Sequence, residues 1–97
     1  MTLNFNVQEL RDLVAAPMAK RGVIRAAIFG SVARGEASED SDVDFLVEFE
    51  HGRSLLALAG LRLDLIETLG RNVDVATPQS LHPSMRERIL NELVTIL

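Results

Sequence analysis

The stretch "FGSVARGEASEDSDVDFLVEF", Phe29 to Phe49, holds a Gly-Ser pair at one end, two aspartates near the other and a small acidic segment between them. Just before it, "VIRAAIF" is short, apolar and rich in β-branched residues, and it stops at Gly30, which reads as a buried strand running into a turn. "SVARG" is long enough for one helical turn, and "EASEDS" is polar loop. From Asp42 the sequence "DVDFLVEF" alternates, with Val43, Phe45 and Val47 on one side of a second strand and Asp42 and Asp44 on the other.

Outward from this pair of strands the chain reads as helix and strand in turn. Upstream, Asn6 and Glu9 stand at capping spacing, and Val7, Leu10, Val14 and Met18 recur with a helical period, predicting a first helix over Val7–Lys20 with Pro17 placed to kink it or end it early. Downstream, Ser54 is placed to cap a helix that closes at Gly70, with Leu55, Leu58, Leu65, Ile66 and Leu69 as its apolar face. Arg62 falls inside that face, so it must snorkel to the rim or meet a carboxylate. "NVDVAT" predicts a third strand ended by Pro78, and "PSMRERILNELV" a last helix buried through Met85, Ile89, Leu90 and Leu93. The expected fold class is α/β (α+β): one small mixed sheet with helices packed on it.

Composition narrows the function. A chain of 97 residues is expected to form one domain, residues 1–97, burying about two-thirds of its unfolded surface. With 47% hydrophobic and 25% charged residues it has the balance of a globular protein rather than a disordered one. The formal net charge of -4 argues against bulk nucleic-acid binding. Cysteine is absent, which removes disulfides, thiolate nucleophiles and Cys-type zinc sites, and His51 and His82 have no ligand spacing. No basic leader opens the chain, and Arg62, Asp64 and Glu67 interrupt the most apolar window, so a cytoplasmic protein is expected.

The chemistry sits in three places. Asp42 and Asp44, two residues apart on a strand, have Cα atoms about 7 Å apart on one face. Carboxylates that close repel unless a cation neutralises them, and magnesium suits this need because it binds through one or two carboxylates plus substrate phosphates. Gly30-Ser31, after a strand and before a helical turn, lets a phosphate approach backbone N–H groups. Asp74 breaks the apolar run of the third strand and meets the other two acids if that strand lies beside theirs. Taken singly, each feature has a plain structural reading: a solvated strand start, a turn, an edge-strand acid facing water.

Gly30-Ser31, ten intervening residues, Asp42-Val43-Asp44 and a later acid on a short strand resemble the signature of the DNA polymerase beta-type nucleotidyltransferase superfamily. Within it, "LIETLGRNVDVATPQSL" is similar to the corresponding helix and third-acid strand of the minimal nucleotidyltransferase (MNT) group, whose members are often antitoxins paired with HEPN toxins. The resemblance implies that Gly30 and Ser31 hold the triphosphate of ATP, with Arg34 as a phosphate contact. It also implies that Asp42 and Asp44 hold two magnesium ions and that Asp74 binds the ion beside the attacking hydroxyl and accepts its proton. Two metals about 4 Å apart suit in-line displacement at the α-phosphorus, and no His or Cys nucleophile is required.

Size then bears on the acceptor. Superfamily members that modify antibiotics, RNA ends or DNA carry extra domains that hold the acceptor, whereas this chain is filled by the catalytic core. The resemblance therefore implies a protein partner, a HEPN-type toxin that receives AMP on a tyrosine hydroxyl, in a hetero-oligomer away from membranes. Two alternatives stand beside it: an antitoxin that acts by binding and occlusion, and the catalytic subunit of a small-molecule, aminoglycoside-like nucleotidyltransferase.

Overall fold

Helix α1, Val7–Lys20, starts where Asn6 caps it: the Asn6 side chain accepts the Glu9 amide at 2.7 Å. The computed structural model describes residues 6–36, 41–53 and 55–97, so the proposed Ser54 cap and most of the acidic loop lie outside the described residues. Pro17 does not end α1, which continues to Lys20 with Leu10, Val14 and Met18 buried. Strand β1, Val23–Phe29, follows, then the single turn α2, Gly30–Ala33, and strand β2, Val43–Phe49. Helix α3, Leu55–Leu69, leads to β3, Val73–Ala76, and a 3-10 turn over Pro78–Ser80 precedes α4, Pro83–Glu92.

One element differs from the sequence expectation. The last helix stops at Glu92, and Val94–Thr95 forms a short strand, β4. Leu93 has turned to extended backbone, and the β-branched run Val94-Thr95-Ile96 favours a strand over a further helical turn. Thr95 pairs with Ala27 and Val94 with Ile28, and the Ile96 amide donates to the Ala26 carbonyl at 2.9 Å. Ile96 is thereby driven into the core.

The sheet order is β3-β2-β1-β4. β1 runs antiparallel to both β2 and β4, while β3 is parallel to β2 because α3 carries the chain back along the sheet. α1 and α3 supply Leu10, Val14, Met18, Leu61, Leu65 and Leu69 to one core with Val43, Phe45 and Val47. Arg21, at the end of α1, clamps the two helices together: Nε and Nη2 donate to the two oxygens of Asp64 at 2.7 and 3.3 Å. The guanidinium holds the Asp64 carboxyl below its ordinary range and crosses α3 where Gly60 has no Cβ to block it.

Not every expected core position is buried. Leu55 lies 82% exposed at the start of α3, and on α4 only Ile89 is buried, whereas Met85 and Leu90 are exposed. α4 buries a single narrow stripe, so Met85 and Leu90 keep 44% and 46% of their surface exposed. Arg62 meets a carbonyl rather than a carboxylate, its Nε donating to Val73 O at 2.9 Å. Among the described residues no helix is long and apolar enough to cross a membrane.

Candidate nucleotide site

Strand pairing explains the spacing between the Gly-Ser pair and the aspartates. The antiparallel return of β2 sets Asp44 opposite Phe29, the residue before Gly30. The parallel pairing of β2 with β3 sets Asp74 beside Asp44 in register. Gly30, Ser31, Asp44 and Asp74, about forty-five residues apart at the extremes, thus line one cleft of about 600 Å³.

Gly30 has φ +74°, a conformation that an L side chain adopts only with strain, and a Cβ there would collide with the Asp44 carboxylate. The backbone therefore asks for glycine, and any larger residue would also have to push the Asp44 carboxylate aside. α2 begins at that residue, and the first turn of a helix leaves its N–H groups without intrahelical acceptors.

Asp44 is the strained charge of the site. Burial raises its carboxyl from the usual 3.8 to about 6, helped by repulsion from Asp74 and Asp42 and by a hydrogen bond with Asp74, against a smaller opposing pull from Arg34. Asp42 stands one residue before β2, is exposed, and its charge helps to raise the Asp44 carboxyl. Among the described residues no three His, Asp or Glu side chains converge closely enough to hold one ion. The structure thus brings Asp44 and Asp74 together, with Asp42 near enough for its charge to act on Asp44. A hydrogen-bonded pair of mutually repelling carboxylates is still a donor set that fits magnesium, whose remaining ligands are commonly water and substrate phosphate.

Arg34 lines the cleft, but its guanidinium is engaged: Nε donates to Glu36 Oε2 at 3.0 Å and Nη1 to Glu92 Oε2 at 3.2 Å. The second wall was not foreseen. Ser80, His82, Met85, Arg88 and Glu92 line the same cleft as Asp44 and Asp74. Ser80 closes the 3-10 turn, accepting the Thr77 amide at 3.0 Å, and His82 caps α4, its Nδ1 accepting the Ser84 amide at 3.2 Å. The signal that could have found this wall is the spacing 82, 85, 88/89, 92, one stripe of a helix.

The nucleotidyltransferase domain model matches residues 8–96. The chain belongs to that family. Among relatives of this nucleotidyltransferase, MJ0435 of Methanocaldococcus jannaschii, named as a candidate protein adenylyltransferase, is 50% identical over 92 residues, covering 95% of this chain and 99% of its own. The protein adenylyltransferase MntA of Thermococcus cleftensis is 44% identical over 75 residues, 77% of this chain and 76% of that one. A solved structure of a candidate minimal nucleotidyltransferase superposes with TM-score 0.78 at 45% identity, covering 93% and 95% of the two chains. A structure of tri-AMPylated Shewanella oneidensis HEPN toxin in complex with MNT antitoxin matches with TM-score 0.71 over 95% of this chain and 72% of that one. At 15% identity that last likeness is one of fold alone.

Proposed function

We propose that this nucleotidyltransferase is the antitoxin of a HEPN/MNT pair, a cytoplasmic single-domain enzyme that moves AMP from ATP to a tyrosine hydroxyl of its partner toxin. The observation that carries the reading is the Asp44–Asp74 pair set beside Gly30-Ser31 in one open cleft. The names of the two relatives point to AMP transfer onto protein, and the toxin complex shows the same fold in the company of an AMPylated HEPN protein.

In the proposed reaction Gly30 and Ser31 receive the triphosphate. The tyrosine oxygen attacks the α-phosphorus, the bond from that phosphorus to the bridging oxygen breaks, and pyrophosphate leaves. Asp74, exposed at the sheet edge, takes the phenolic proton. Asp44 and Asp74, with Asp42 beside them, would hold two magnesium ions, which would supply positive charge to offset the carboxylates and the negative charge that develops on the leaving group. Asp44 must be ionised for this, and its raised pKa is the metal-free expression of the same crowding.

The test is to incubate the protein with ATP, magnesium and the co-encoded toxin and to read intact mass. Additions of one or more AMP units, lost in the Asp42→Asn plus Asp44→Asn double variant, are expected. Absence of any addition, or additions that survive the double variant, would sink the proposal. A second reading is neutralisation by occlusion; if the double variant still silences the toxin, binding alone suffices.

A further inference from the structure

α3 is apolar on two sides. Leu61, Leu65 and Leu69 are buried in the core beneath it, whereas Leu56 and Leu63 lie 81% and 63% exposed. At roughly 100° per residue these two project along nearly one outward line, opposite the buried three. Leu55 adds a third exposed leucine at the helix start, and exposed Ala59 continues the stripe without a charge. A helix that is apolar all round belongs in an interior, yet no described element covers the outer side of this one. We propose that a second copy of the chain covers it, the two α3 helices packing antiparallel about a two-fold axis beside Ala59 and Gly60. The surface is independent of the cleft: α3 packs on the Phe45 side of the sheet, and Asp44 and Asp74 open on the other.

Spacing names the occupant. In a two-fold contact residue i meets j while j meets i, so the surface must be complementary to itself. Leu56 and Leu63 stand seven residues apart with the Ala59-Gly60 peptide midway between them, so antiparallel helices lay Leu56 of each copy on Leu63 of the other.

Charge follows the same symmetry. At the N-terminal end of the stripe, Leu56 borders a shallow depression lined by Lys20, Arg21 and Arg53. Asp64 holds Arg21 and Glu50 holds Arg53, which leaves the Lys20 ammonium in excess. At the other end Glu67, exposed, stands one turn beyond Leu63 on the same side. The two-fold carries Glu67 of each copy to the Lys20 end of the other, closing an apolar centre with opposite charges at both rims. A parallel pairing would instead set Glu67 against Glu67. The antiparallel dimer leaves both clefts open on its outer faces, each free to receive an acceptor.

Sedimentation equilibrium of the protein alone, from about 1 to 300 µM, reads the assembly; interference optics serve, because the chain has no Trp or Tyr. A monomer–dimer equilibrium is expected, with a Kd that rises at least about tenfold in the Leu56→Lys plus Leu63→Lys variant and about threefold in Glu67→Lys. All three side chains are exposed, so thermal melts should show the variants folded. The absence of cysteine makes the register readable. Under mild oxidation Leu56→Cys mixed with Leu63→Cys should cross-link, and neither should cross-link alone, since like positions then lie about 10 Å apart along the helices. A chain that stays monomeric throughout, a dimer indifferent to the double lysine variant, or Leu56→Cys that cross-links with itself would each overturn the inference and leave AMP transfer standing. A monomer whose double lysine variant also fails to bind the co-encoded toxin would assign the face to that toxin instead.

Discussion

On one side of β2, Val43, Phe45 and Val47 are sealed beneath α1 and α3 with none of their surface exposed; on the other, Asp44 faces an open cleft beside a second carboxylate. The residues alternate, so 3.3 Å of strand separates the driest part of the molecule from its most crowded charge. The dry side gains free energy by removing hydrocarbon from water. The wet side loses some, because burial and like charge both oppose an ionised Asp44. Such a loss is tolerable only where the other side of the same strand is packed well enough to hold the carboxylate in place.

Substitutions one residue apart should therefore fail in opposite ways. Phe45→Ala is expected to lower stability by about 3–5 kcal/mol, a large share of what a domain of this size has, and urea unfolding monitored by circular dichroism reads it. Asp44→Asn should leave the unfolding midpoint unchanged or higher and cut AMP transfer by roughly 10³-fold, about 4 kcal/mol of barrier. If Asp44→Asn unfolds the protein, or Phe45→Ala spares it, the two sides are not divided as described.

Gly30→Ala probes the point where the sides meet. The positive φ alone should cost about 1–3 kcal/mol, and the collision with Asp44 adds to it. Combining Gly30→Ala with Asp44→Ala removes the collision and leaves the backbone strain, so part of the lost stability should return in a double-mutant cycle. Simple additivity of the two changes would show that the glycine is needed for its backbone only.

The same division governs what the sequence made legible. Alternation in "DVDFLVEF" and the helical period of α1 follow from nearest-neighbour geometry, so the dry side could be read residue by residue. Asp74 joined Asp44 through strand pairing, which the sequence supported only by way of the family resemblance. The α4 wall escaped because "PSMRERILNE" has a solvated composition; its role comes from a long-range placement that leaves Met85 and Arg88 facing a cleft rather than bulk water. β4 escaped for a related reason, since two residues gain a strand only from the β1 edge waiting for them. For β2 the alternation read from the sequence began at Asp42, one residue before the strand itself begins.

The smallest predicted effect concerns the pH dependence of stability without magnesium or nucleotide. Asp44 titrates near 3.8 when unfolded and near 6 when folded, so between those values the native state holds a proton that the unfolded chain has released. Its contribution is fully present below about pH 4 and is lost as pH rises through 6, opposite in sign to a salt-bridged acid. Since the carboxyl is only partly buried, the change should be on the order of 1 kcal/mol rather than the full value of the shift. Urea unfolding at pH 4.5 and pH 7, wild type against Asp44→Asn, isolates it: the difference between the two proteins should favour the wild type more at the lower pH. With magnesium and a non-hydrolysable ATP analogue present the trend should reverse, because the cation binds the ionised pair and each proton lost is then a gain in affinity. A difference that is flat with pH in the metal-free protein would mean that Asp44 is as well solvated as an exposed acid, and the contrast between the two sides of β2 would reduce to packing alone.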